Sequence, residues 1–193
     1  MTYGELKKRI YALLDIDAKE EAVTGSLTHM VKDVLVQTIN AITRKTAFSL
    51  KALYKTADLY FEKDTTGISA LLPADVALVK EIFNGRRRYG SVNFERAGNT
   101  LYFFGAKEGF YTVGYYAFPK PLATNLPDTA ALDMSDMVWD TVAYGVCAEL
   151  CMKVYPSDMK RYMRLATEFD ERMTAYVPTT SVSVVKDAVF SQK

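Results

Sequence analysis

A chain of 193 residues is long enough for one domain or two small ones, and with 49% hydrophobic and 24% charged residues it can bury an ordinary globular core. A net charge of +1 argues against a partner recognised through bulk electrostatics, whether nucleic acid or an acidic membrane. No apolar run is long enough for a transmembrane helix, and the amphipathic opening MTYGELKKRIYALLDID has no signal-peptide pattern.

Thr2-Tyr3-Gly4-Glu5 matches a capping box, and Tyr3, Leu6, Ile10 and Leu13 recur at helical spacing, so a first helix is predicted to end near Leu14. Residues 15–25 form an acidic connector. Asp15-Ile16-Asp17 lacks the glycine and the closing glutamate of a calcium loop, so its charges are expected to be solvated. Helix two starts near Ser26 or Thr28 and carries Leu27, Met30, Val31, Val34, Leu35, Thr38, Ile39 and Ile42 on one face. His29 falls in its first turn, with no nucleophile or carboxylate assignable to it.

After Arg44-Lys45 the pattern changes to period two. Strands are predicted over 48–54 and 59–63, with a turn at 64–67 and a run over 68–72 leading into Pro73-Ala74-Asp75. The next strand, 77–83, has Val79 and Phe83 on one side. Asn84-Gly85 then favours a type I′ turn. Further strands are expected over 89–94, with Val92 and Phe94 on one face, over 100–104 and over 110–118, with glycine turns between them. Pro119 and Pro121 stop the last strand, since proline cannot donate to a ladder. Short connections predict an antiparallel meander.

Residues 122–132 read as a polar loop. Asp133 or Ser135 then caps a third helix that Pro156 ends. Its apolar residues extend almost all round, which marks a buried helix. Part of that burial is assigned to another subunit, through Trp139, Val146 and Leu150. Ser157 caps a fourth helix with the stripe Met159, Tyr162, Met163, Ala166, Phe169, Met173 and Tyr176, and Pro178 ends it. In the tail, Val182, Val184 and Phe190 have no obvious place in a core, which predicts an arm that orders on a partner.

The expected fold is α+β: a helical bundle of about four helices (1–47 and 122–177), an inserted antiparallel β meander (48–121) and an extended C-terminal arm (178–193). Chemistry is sparse. Cys147 and Cys151, four apart on helix three, read as buried hydrophobes and are too few donors for zinc. Asp136 and Asp140 sit where the helix dipole favours acids. Neither a GxSxG motif nor a phosphate-binding loop is present. Arg86-Arg87-Arg88 is the one basic run. It reads either as a solvated turn or as a contact to a phosphate backbone or an acidic partner. The strand aromatics Tyr102, Phe103, Phe104, Tyr111, Tyr115, Tyr116 and Phe118 suit a core better than a stacking platform.

One succession of segments carries a resemblance. Leu72-Pro73-Ala74-Asp75-Val76 enters a strand, Gly98-Asn99-Thr100-Leu101-Tyr102 follows, and Val113-Gly114-Tyr115-Tyr116 leads to Pro119. A proline-containing loop then reaches the helix DTVAYGVCAEL at 140–150. Over about residues 1–176 this order is similar to the head-to-tail adaptors (connector or gatekeeper-type proteins) of tailed bacteriophages. The β region departs from the short all-helical adaptors and suits larger forms. The resemblance implies a virion structural protein made in the bacterial host cytoplasm, with no enzymatic activity and no cofactor. It implies a homo-oligomeric ring, commonly a dodecamer, that binds the portal protein, extends the DNA channel and receives tail or nozzle proteins. Another neck or tail-completion protein, a virion-associated cell-wall hydrolase and a plain binding module are the alternative readings.

Overall fold

The computed structural model describes residues 1–15, 26–63, 65, 67–154 and 156–176, with the side chains of 26–33 and 154 outside that description. Val182, Val184 and Phe190, the residues of the expected arm, lie outside the described residues, as does the His29 side chain. Among the described residues are four α-helices and an antiparallel seven-strand sheet, a mixed α+β chain.

Helix α1 (Tyr3–Leu13) opens on the predicted capping box. Thr2 Oγ1 accepts from the Glu5 N–H at 3.3 Å, and Glu5 Oε2 accepts from the Thr2 N–H at 2.6 Å. Helix α2 (Ser26–Leu50) is the longest. Helices α3 (Asp136–Val154) and α4 (Met159–Ala175) follow the sheet, and Asp158, not Ser157, caps α4 by accepting from the Arg161 N–H. Helix α3 packs against α1, α2 and α4. That arrangement explains its all-round hydrophobicity: Trp139, Val142, Val146, Cys147, Leu150 and Cys151 are buried among Leu6, Ile10, Ile39, Leu165 and Phe169.

The sheet order is β4-β3-β7-β1-β2-β6-β5, built from β1 (Tyr54–Lys63), β2 (Ile68–Leu71), β3 (Val76–Asn84), β4 (Arg87–Tyr89), β5 (Phe94–Ala97), β6 (Thr100–Phe103) and β7 (Gly109–Ala117). It is not the expected simple meander. Three hairpins pair neighbours in sequence, but β7 returns to the middle, between β3 and β1. It is the strand whose second half is buried on both faces, as a central position requires.

The local differences have local causes. Of the predicted strand over 48–54, residues 48–50 are instead the last turn of α2, which closes at Lys51 with a left-handed φ of 52° and Ala52 N–H donating to Ala47 O, and Tyr54 opens β1. Strand β1 then runs unbroken through 55–58, because Asp58 stands on the outer face and accepts from Thr112 Oγ1. Asn84 pairs with Arg87, so the tight loop is Gly85-Arg86. Only Gly85 has positive φ (56°), the type II′ rather than the type I′ requirement. A register shift between Val79 and Glu81 turns Ile82 inward in place of Phe83. Residues 89–94 break at Gly90 into a 3-10 turn (Ser91–Asn93), which leaves Val92 91% exposed.

The sheet curls until its edges meet. The Tyr89 ring of β4 lies 4.8 Å from Phe103 of β6, and Arg96 of β5 donates to the Val76 and Ala77 carbonyls, which the short β4 leaves without a strand partner. Inside the curl Phe61, Phe103 and Tyr111 pack edge to face at 5.1–5.8 Å. This sheet core is separate from the helical core, and Leu53 packs against both. Among the described residues no helix is long and apolar enough to cross a membrane.

Candidate functional site

Trp139, Val146 and Leu150 are 1%, 0% and 1% exposed within the single chain, so they are core residues and offer no surface to another subunit. Packing on three helices at once accounts for most of the apolar circumference of α3, and Met137 and Met152 stay exposed. Cys147 is equally enclosed, its Sγ 3.5 Å from Ile10 O, and burial pushes its thiol up to about 12. Asp140 accepts from Arg9 Nε at 2.9 Å and Arg172 Nη1 at 2.6 Å, tying α1 and α4 to α3. No group of three histidine, cysteine, aspartate or glutamate residues that could hold a metal occurs among the described residues.

Arg86, Arg87 and Arg88 are exposed at the β3–β4 hairpin. Arg87 lies over the Tyr89 ring at 5.0 Å and Arg88 over Phe83 at 5.3 Å. The register Phe83↔Thr112 and Leu78↔Tyr116 carries this basic tip along the outer face of β7 toward α2. On that face Tyr54 packs edge-on to Tyr116 at 5.7 Å, and its hydroxyl donates to Glu81 at 3.2 Å. Burial, then the nearby Glu81 carboxylate, pushes Tyr54 up to about 12. Gly114 makes the arrangement possible, since a Cβ there would run into the Tyr54 hydroxyl.

Cations sit on these rings. Lys80 is 5.2 Å from the Tyr54 centroid, Lys51 is 5.7 Å from Tyr116, and Arg44 is 4.1 Å from Phe118, which itself stacks on Phe48 at 6.2 Å. Arg44 and Phe48 share one face of α2 because they stand four residues apart, and Lys51 follows just past the helix end. Beyond Arg44 the stripe opens into a groove of about 710 Å³ lined by Asn40, Lys55, Asp75, Pro119, Lys120 and Asp133, among others. There Lys55 Nζ contacts Asp75 Oδ2 at 2.7 Å. That bond holds the Asp75 carboxyl below its ordinary range and raises Lys55.

Sequence reasoning found the hairpin end of this stripe and missed the rest. The signal was present: Tyr116 and Phe118 stand two apart on one strand face, and Arg44 and Phe48 share a helix face. Reading 48–54 as a strand concealed the second pattern. No family model matches the sequence, and no curated protein matches it.

Proposed function

We propose that the chain is a virion structural protein: a head-to-tail adaptor of a tailed bacteriophage, forming a homo-oligomeric ring, dodecameric in the commonest form of such adaptors. It sits below the portal protein, extends the DNA channel and receives tail or nozzle proteins. In this reading the four helices form a bundle that builds the ring wall, the sheet reaches the tail side, and residues 178–193, with Val182, Val184 and Phe190, form the portal-binding arm. Because Trp139, Val146 and Leu150 are internal, ring contacts fall to exposed apolar side chains on the helices, Met137, Met152, Met159 and Met163.

One observation carries the reading beyond the resemblance over residues 1–176. The helix-distal end of the sheet leaves large apolar side chains in water: Val92 is 91% exposed and Phe110 71%, with Tyr60 and Phe104 half-exposed beside the same strand ends. Exposed side chains of this kind are the mark of an assembly surface, and Leu71, 72% exposed at the other end of β2, belongs to the same class. The test is to mix the full chain with its cognate portal and image the mixture by cryo-electron microscopy. A ring of chains seated on the portal is the expected outcome. A chain that stays monomeric and unattached overturns the proposal.

A further inference from the structure

In the helical part Arg9, Arg161 and Arg172 are each answered by a carboxylate. Lys8, Lys45, Lys153, Lys160 and Arg164 of the helices make no ion pair among the described residues, and Lys45 lies over the Phe169 ring; along the stripe such cations fall on one face. Among the described residues, Arg44, Lys51, Arg86, Arg87 and Lys120 make no ion pair, and Lys80 and Arg88 share the single carboxylate of Glu81, at 3.6 and 4.0 Å. Aromatic rings hold the Arg44, Lys51 and Arg87 charges in place of carboxylates. A cation on a ring is positioned yet still free to meet an anion, because no ion pair has to break first. Lys51 also keeps a left-handed backbone, φ 52°, where glycine is the easier residue. A strained position that retains a charged side chain points to use of the charge.

From Thr112, whose hydroxyl donates to Asp58, to Phe118 the row follows β7 for roughly 20 Å at about 3.3 Å per residue, and the arginine tip lies beside its Thr112 end. An acidic protein surface presents carboxylates irregularly. A phosphodiester backbone presents charge at even spacing, which a row of cations on flexible stems can meet without reading base edges.

We propose that the outer face of β3 and β7, from Arg86 to Arg44, binds the phosphodiester backbone of nucleic acid without sequence preference. Binding is a property of the single chain and does not rest on the adaptor reading. An adaptor that fails to bind DNA sinks only this proposal, and a DNA-binding chain that ignores the portal sinks only the other.

The experiment titrates the full-length protein into fluorescein-labelled DNA of about 20 nucleotides, single-stranded and duplex, with salt varied from about 50 to 200 mM. Both DNAs are expected to bind, more weakly as salt rises. The triple variant Arg44→Gln, Lys51→Gln, Lys80→Gln should lose at least about tenfold in affinity, and its log–log salt slope should fall by about 2–3. A control variant, Lys8→Gln, Lys153→Gln, Lys160→Gln, removes exposed lysines away from the stripe and should stay within about twofold of the parent. Arg86→Gln with Arg87→Gln, at an exposed turn, repeats the test should the triple variant fold poorly. Absence of binding at about 50 mM salt, or an equal loss in the control, overturns the proposal. So does labelled polyglutamate binding more tightly than DNA through the same three residues, which would assign the stripe to an acidic protein.

Discussion

Gly145 lies where α2, α3 and α4 converge. A Cβ added there would stand 2.8 Å from Ile42 Cγ2 and 2.8 Å from Phe169 Cε2, closer than real contacts allow. Two effects compete in Gly145→Ala. Helix propensity favours alanine by about 1 kcal/mol, and overpacking a filled core costs about 1–3 kcal/mol. The variant should therefore be less stable, with Tm lower by about 3–6 °C for a chain of this size. A rise in Tm by calorimetry would show that Phe169 can step aside. Cys147 gives a chemical check on the same core. A thiol held near 12 by burial stays protonated at pH 8 and should resist a disulfide reagent until guanidine is added. Rapid labelling of the native chain would contradict its enclosure. Asp75 supplies the pH dependence. Its carboxyl lies below the ordinary 3.8 because Lys55 donates to it, so its folded form binds protons less readily than its unfolded form. The stabilisation is present above that ordinary value and fades as pH falls through the folded one. The Tm gap between wild type and Asp75→Asn should be open at pH 6 and narrow toward pH 3. A gap unchanged over that range would detach Asp75 from the acid response.

Elements with one apolar face and a clear stop were legible in the sequence. The capping box of α1, the periodicity of Leu35, Ile39 and Ile42 in α2, and the strand over Thr100–Phe103 needed only local rules. The parts that were not legible depend on distant partners. Phe48, Leu50, Ala52 and Tyr54 alternate like a strand, yet the helix continues because Ala47 and Leu50 are buried in the helical core. The central place of β7 follows from pairing with two strands far back in the chain, which spacing alone does not reveal. Candidate site residues divided the same way: the exposed arginine run was visible, whereas the ring-held cations needed α2 and β7 side by side. The α2 stop also sets a contest of magnitudes. A non-glycine left-handed residue costs about 1–2 kcal/mol, while glycine gives back roughly 0.5–1 kcal/mol through its looser unfolded chain. Lys51→Gly should therefore raise Tm slightly, by up to about 3 °C. A fall would mean that the lysine stem over Tyr116 contributes more than the backbone relief.

At the scale of the whole molecule, a net charge of +1 conceals local clustering: Arg86, Arg87 and Arg88 gather at one hairpin, with Asp58 beside Thr112 and Glu81 on the same sheet face. Apolar side chains divide between core and surface. Trp139 is buried among three helices, so Trp139→Glu is expected to prevent folding, since a charge there has no partner. Val92 and Phe110 present the opposite case. Val92 is almost wholly in water, and Phe110 touches its own chain through the edge contact with Tyr60 at 4.9 Å, a pair worth about 0.5–1.5 kcal/mol. Changing both to serine should therefore cost the monomer about 1 kcal/mol and lower Tm by no more than about 4 °C. The same double variant should lose assembly, because two exposed apolar anchors at the sheet's helix-distal end are replaced by hydroxyls that water already satisfies. Native mass spectrometry and sedimentation of the full chain, alone and with the portal, read the assembly, while calorimetry reads the fold. Normal assembly by the serine variant would remove the main structural support for the adaptor reading. A collapse of Tm would instead show that Val92 and Phe110 are held by their own chain.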